Sequence, residues 1–146
     1  MPKIEKITKQ TENPYVNLYL VEGKNKMDHP FRYYVASRAK TMEALKIKTK
    51  KNTPDGVLMY SLYGEKRDKI VLVRQYRVSI DDYIYEFPAG LVESGEEFHE
   101  AAVREMHEET GLTFHPLKVD PCYEKPFFTT IGMTDEACSA VYGWCE

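Results

Sequence analysis

Hydrophobic and polar positions alternate in short stretches along most of the chain and switch to a helical period only once. Residues 15–21 (YVNLYLV) and 31–36 (FRYYVA) are rich in β-branched and aromatic side chains. The stretch between them holds Gly23, Asn25, Asp28 and Pro30, so the two runs predict a hairpin or meander. A charged connector, TMEALKIKTKKNTPDG, closes on the turn chemistry of Pro54-Asp55-Gly56 and puts a boundary near residue 53. VLMYSLY (57–63) and IVLVRQYRV (70–78) predict two more strands, the IVLV run reading as a central one. YIYEF (83–87) runs into Pro88-Ala89-Gly90, which ends or bends the element, and residues 117–119, 122–124 and 137–144 are candidates for short strands. Residues 96–110 predict the one strong helix, with Ser94 and Glu97 at capping-box spacing and Gly111 placed to end it. Strands interrupted by one helix indicate an α/β or α+β domain.

Composition narrows the class. With 146 residues, 42% of them hydrophobic, the chain can bury a core without a metal or disulfide staple. No apolar run approaches the ~20 residues of a membrane span, and MPKIEKITKQ has no apolar stretch like a signal peptide. Cys122, Cys138 and Cys145 cannot all pair and have no metal-ligand spacing, which suits idle thiols in a reducing cytoplasm. The net charge of −3 hides an asymmetry: residues 1–77 carry 17 Lys/Arg against 8 Asp/Glu, and residues 78–146 carry 3 against 15. The lysines are scattered singly apart from Lys50-Lys51 and lack aromatic interleaving, so a nucleic-acid partner is not expected.

The acidic half has internal spacing. On a helical wheel Glu109 falls about 40° to one side of Glu105 and Glu108 about 60° to the other. Val103, Met106 and Thr110 form a separate face able to pack on a sheet, and Ala101 and Ala102 permit close approach. Like charges at this spacing repel by a few tenths of a kcal/mol even in water. A hard divalent cation such as Mg²⁺ resolves the conflict, because oxygen ligands with no His or Cys cluster suit it. A solvated acidic helix is the other reading of the spacing alone.

Written out, Gly90-x5-Glu96-x7-Arg104-Glu105-Met106-x-Glu108-Glu109-x-Gly111-Leu112 resembles the Nudix hydrolase signature at every specified position. The preceding VLVRQYR (71–77) and YEFPAGLVESGE (85–96) are similar to the ADP-ribose pyrophosphatase branch of that family. The resemblance implies a Nudix α/β/α sandwich with a mixed β-sheet over residues 54–146, and an N-terminal antiparallel β subdomain over 1–53. It implies Mg²⁺-dependent hydrolysis of the pyrophosphate of ADP-ribose or a related nucleoside diphosphate sugar, with Mn²⁺ able to substitute. Glu105, Glu108 and Glu109 would be the catalytic metal ligands, joined by the backbone carbonyl of Ala89 and by Glu96. Arg104 would anchor the loop through a carboxylate. Arg77 and Glu86, beside the Pro-Ala-Gly turn, would meet the substrate, and Asp135 and Glu136 would face its sugar end.

Two departures leave alternatives open. Ile131 stands before Gly132 where many relatives of the branch have proline, so the choice among nucleotide sugars stays open. Relatives also continue past the equivalent of Glu146 with a loop bearing a general-base glutamate and a closing helix. The C-terminal part of the domain is therefore expected to be missing, and a nucleotide-binding or regulatory domain without turnover is the second reading. The aromatic strands of the first 53 residues exceed what a two-stranded hairpin can bury and predict a homodimer through that subdomain.

Overall fold

The computed structural model describes residues 1–146. Two compact units are present: Met1–Thr53 with Phe128–Glu136, and Pro54–Phe127 with Ala137–Glu146.

In the first unit, β1 (Lys3–Lys9), β2 (Asn17–Lys24) and β3 (Pro30–Ser37) form an antiparallel sheet in that order. The alternation predicts β2 and β3. β1 escapes it because KIEKITK is an edge strand whose first four residues are exposed, with lysines along its length. The middle strand buries Tyr19, Leu20 and Val21, and the Tyr19 hydroxyl donates to the Ala39 carbonyl at 2.7 Å. The charged connector contains a single helical turn, α1 (Lys46–Thr49), preceded by the buried Leu45. Residues 128–136 return to this unit: Thr134 bridges to Ala36, and the Tyr33 hydroxyl donates to the Gly132 carbonyl at 2.5 Å.

The second unit is built on two parallel strands far apart in sequence, β4 (Gly56–Tyr63) and β11 (Ala137–Cys145). β5 (Lys69–Ile70) and β8 (Ala89–Leu91) add to β4 antiparallel, and β9 (Phe114–Pro116) adds to β11, giving the mixed sheet expected of the α/β class. β6 (Val73–Arg77) and β7 (Asp82–Glu86) form a separate two-stranded hairpin, and β10 (Phe127–Phe128) lies where the chain leaves the unit. The long helix α2 (Phe98–Thr110) packs Ala101, Ala102 and Met106 into a core with Val57, Met59, Phe114 and Val141.

Several local expectations are corrected. IVLV is not a central strand: the Val71 N–H still bonds Ser61 O at 3.1 Å, but the chain then leaves the sheet edge to form the β6–β7 hairpin. The central position goes to β4, whose alternation Val57, Met59, Ser61 faces the core. Residues 117–119 and 122–124 are not strands. Pro121 starts a single 3₁₀ turn over Pro121–Tyr123, capped by Asp120. On α2, Val103 is exposed and the alanines take the buried face, which brings the helix close to the sheet.

Gly143 sits mid-strand in β11, where a Cβ would lie 2.3 Å from Phe114 Cε2 and 2.6 Å from His115 O. Backbone and a buried ring cannot both retreat. Gly143→Ala is therefore expected to destabilise the second unit by about 2 kcal/mol. Thermal unfolding should register this as a fall of roughly 5–10 °C; an unchanged melting temperature would contradict the packing.

Candidate active site

Local chemistry fixes α2 at both ends. Its N-cap is Glu97, not the expected Ser94: the Glu97 carboxylate accepts the His99 N–H at 2.8 Å. The capping box fails because residues 93–96 close a turn with Gly95 at φ 84°, in which Glu96 accepts the Glu93 N–H at 2.9 Å and pairs with Arg104, so the helix starts only at Phe98. His99 ties the first turn to the following loop, with Nδ1 3.0 Å from Glu97 and Nε2 2.7 Å from Glu124. Gly111 ends the helix as expected, at φ 74°, its N–H donating to the His107 carbonyl.

Arg104 is the cation of this face. Its Nε and Nη2 each donate to Glu96 at 2.9 Å in a bidentate pair, and Nη1 reaches Glu105 at 2.9 Å and Glu108 at 3.4 Å. Nη2 also donates to the Leu91 carbonyl at 3.0 Å. These Arg104 bonds, with the Glu93 N–H, hold the Glu96 carboxyl at about 2. Glu105 lies against Gly90, where a Cβ would stand 1.9 Å from its carboxyl carbon. Only a glycine leaves room for the carboxylate there.

Glu109 is held differently. Gln75 Nε2 donates to its Oε1 at 2.7 Å, and the Ala89 N–H to its Oε2 at 3.3 Å. Burial raises its pKa from the ordinary value, while the two hydrogen bonds pull the other way and the neighbouring Glu105 charge adds to the rise. Gln75 has no place in the sequence-based site, although its polar side chain on an apolar alternation marks it.

Of the remaining expected residues, Arg77 and Glu86 meet each other on the β6–β7 hairpin, Nε to Oε2 at 2.6 Å. The second unit thus brings together Glu96, Arg104, Glu105, Glu108, Glu109 and Ala89. Asp135 and Glu136 belong to the first unit and are engaged within it. Asp135 accepts the Lys46 N–H at 3.3 Å, and Glu136 accepts Arg38 Nε at 2.9 Å and the Thr129 hydroxyl at 3.2 Å.

No three His, Cys, Asp or Glu side chains close around one point as an all-protein metal cage. The donor set nevertheless fits Mg²⁺, which is commonly bound by one or two carboxylates and completes its shell with water and substrate phosphate. Glu105 and Glu109 are close enough to feel each other's charge, all the donors are oxygens, and Gly90 leaves the space that Glu105 occupies.

Residues 52–142 match the NUDIX domain family model, and the chain belongs to that family. It is 35% identical over 80 residues to the ADP-ribose pyrophosphatase of Saccharomyces cerevisiae, covering 53% of this chain and 35% of the relative. It is 36% identical over 87 residues to the ADP-sugar pyrophosphatase of Mus musculus, covering 58% and 40%. A crystal structure of an ADP compounds hydrolase superposes with a TM-score of 0.71 at 19% identity, over 98% of this chain and 66% of that one, and shows the shared fold. The matches with the yeast and mouse enzymes span 35% and 40% of those proteins' lengths.

The His99 clamp gives a pH signature. Burial works against its charge, but the hydrogen bonds and charges of Glu124 and Glu97 outweigh it and raise the pKa above 6.5. A raised folded-state pKa adds stability that is complete below the unfolded value and lost as pH climbs through the folded one. Wild type should therefore melt above His99→Gln near pH 5.5, with the gap narrowing as pH rises beyond 6.5. A gap independent of pH would show that the ion pairs do not hold the helix start.

Proposed function

We propose that this chain hydrolyses the pyrophosphate bond of ADP-ribose or a related nucleoside diphosphate sugar to a nucleoside monophosphate and a sugar phosphate, with Mg²⁺ as cofactor and Mn²⁺ as a substitute. The observation that carries the reading is Glu109. It is a half-buried carboxylate on the signature helix whose two hydrogen bonds both come from neutral donors, with the Arg77 guanidinium near enough to act on its charge. The pyrophosphatase names of the yeast and mouse relatives support the substrate class.

Glu105 and Glu109, with Glu108 and the Ala89 carbonyl, would hold the metal. Bound there, a divalent ion supplies charge stabilisation for the phosphate oxygens and lowers the pKa of a water. Arg104 locks the Glu96 loop to the helix, so the carboxylates sit on a fixed frame. Arg77 presents a guanidinium to the diphosphate, with Glu86 fixing its direction through their 2.6 Å bond. Asp135 and Glu136, engaged with Lys46, Arg38 and Thr129, take a structural role in their own unit. The exposed Tyr15, Tyr33 and Tyr34 of the first unit form the contact of a homodimer. Three free cysteines suit a cytoplasmic setting.

Product release from ADP-ribose, UDP-glucose, GDP-mannose and ATP with Mg²⁺ tests the substrate class. A nucleoside diphosphate sugar should be turned over fastest, and Glu109→Gln should lose at least ~100-fold in kcat while melting at the wild-type temperature. A preference for ATP would refute the class. Calorimetric binding of a nucleotide sugar without turnover would instead identify a nucleotide-binding domain. Sedimentation should give a dimer that Tyr34→Glu converts to a monomer; a monomeric wild type would remove the homodimer.

A further inference from the structure

Gln75 interrupts an apolar alternation. Val71, Val73 and Gln75 are the half-buried positions of this stretch, while Leu72, Arg74 and Tyr76 are exposed. A strand burying one face ordinarily puts a β-branched residue at such a position, and a half-buried amide persists where a partner compensates its lost hydration. The partner is Glu109, 34 residues away on α2, at 2.7 Å. The Ala89 N–H holds the other oxygen from β8. The carboxylate is thus clamped from two elements that do not belong to its helix.

We propose that Gln75 is a positioning residue that fixes the Glu109 carboxylate in the orientation a divalent cation requires. The inference rests on the reading of Glu109 as a metal ligand. The amide is the side-chain chemistry suited to this task. A lysine or arginine would orient Glu109 equally well, but it would cancel the negative charge and repel an incoming cation. A valine or leucine would leave one oxygen of a desolvated carboxylate without its donor, free to rotate away from the charge of Glu105. A carboxylate oxygen has two lone-pair sites, so the Gln75 hydrogen bond on Oε1 leaves capacity for a metal. Partners of this kind around metal ligands typically carry 10–100-fold in affinity.

The test is a Mn²⁺ titration of the full metal-free chain without nucleotide, followed by electron paramagnetic resonance of free and bound ion. Gln75→Met, which keeps the side-chain length, and Gln75→Leu, which suits the β6 alternation, should both weaken Mn²⁺ binding ~10-fold or more. Both should stay folded without metal, with at most a modest fall in melting temperature from the unpaired Glu109 oxygen, and the spectrum of the residual bound ion should change. Gln75→Lys, which keeps a donor but adds charge, should weaken binding at least as much. Wild-type affinity in the Gln75 variants, with binding lost in Glu109→Gln, would overturn the role of Gln75 alone. Wild-type affinity in Glu109→Gln would overturn the metal reading itself and the inference with it.

Discussion

Carboxylates crowded on one face of a helix repel one another, and the second unit is arranged around keeping them close regardless. Like charges one helical turn apart cost a few tenths of a kcal/mol each even in water, and more where burial weakens the screening. One guanidinium answers most of this. Arg104 spans Glu96, Glu105 and Glu108 and also ties the loop carbonyl of Leu91 to the helix. Glu109 lies beyond that reach and is held by neutral donors instead. The helix can carry this charge because its opposite side is packed through Ala101, Ala102 and Met106 onto the parallel β4–β11 pair.

This division of labour explains how the helix is framed. Gly90 is not serving a turn; its missing side chain is the volume into which Glu105 fits. The start of the helix is governed by electrostatics as well, since Glu96 is drawn to Arg104 and Glu97 is left to cap. The hairpin β6–β7 belongs to the same frame. It leaves the main sheet after Val71, which brings Gln75 to the far side of the carboxylate cluster.

The parts of this arrangement legible from sequence are those encoded by local periodicity. The carboxylate face of α2, its Gly111 terminus, β2, β3 and β4 follow from local composition and spacing, and β11 is legible as a candidate strand over 137–144, because each is an unbroken run with a single preference. The failures have a common cause in tertiary competition. IVLV is apolar enough for a central strand, yet the centre of the sheet is already taken by β4 and the parallel β11, whose pairing across some eighty residues no local pattern reveals. Ser94 has the right spacing for a cap, but spacing does not register that residues 93–96 close a turn and delay the helix to Phe98. β1 carries no apolar face and so gives no signal. Gln75 breaks an apolar alternation, a signal the sequence reading leaves unused, and its meaning depends on the position of Glu109.

The return of residues 128–136 to the first unit has a consequence for how the chain is made. Thr134 and Gly132 complete contacts with Ala36 and Tyr33, nearly a hundred residues earlier. A ribosome that has released β1, β2 and β3 has not yet supplied their last neighbour, and most of the second unit must emerge before it arrives. Domains otherwise tend to finish in order of synthesis. Here the first unit cannot close until Glu136 has been made, and β11, which completes the second unit, follows directly, so the two units finish almost together.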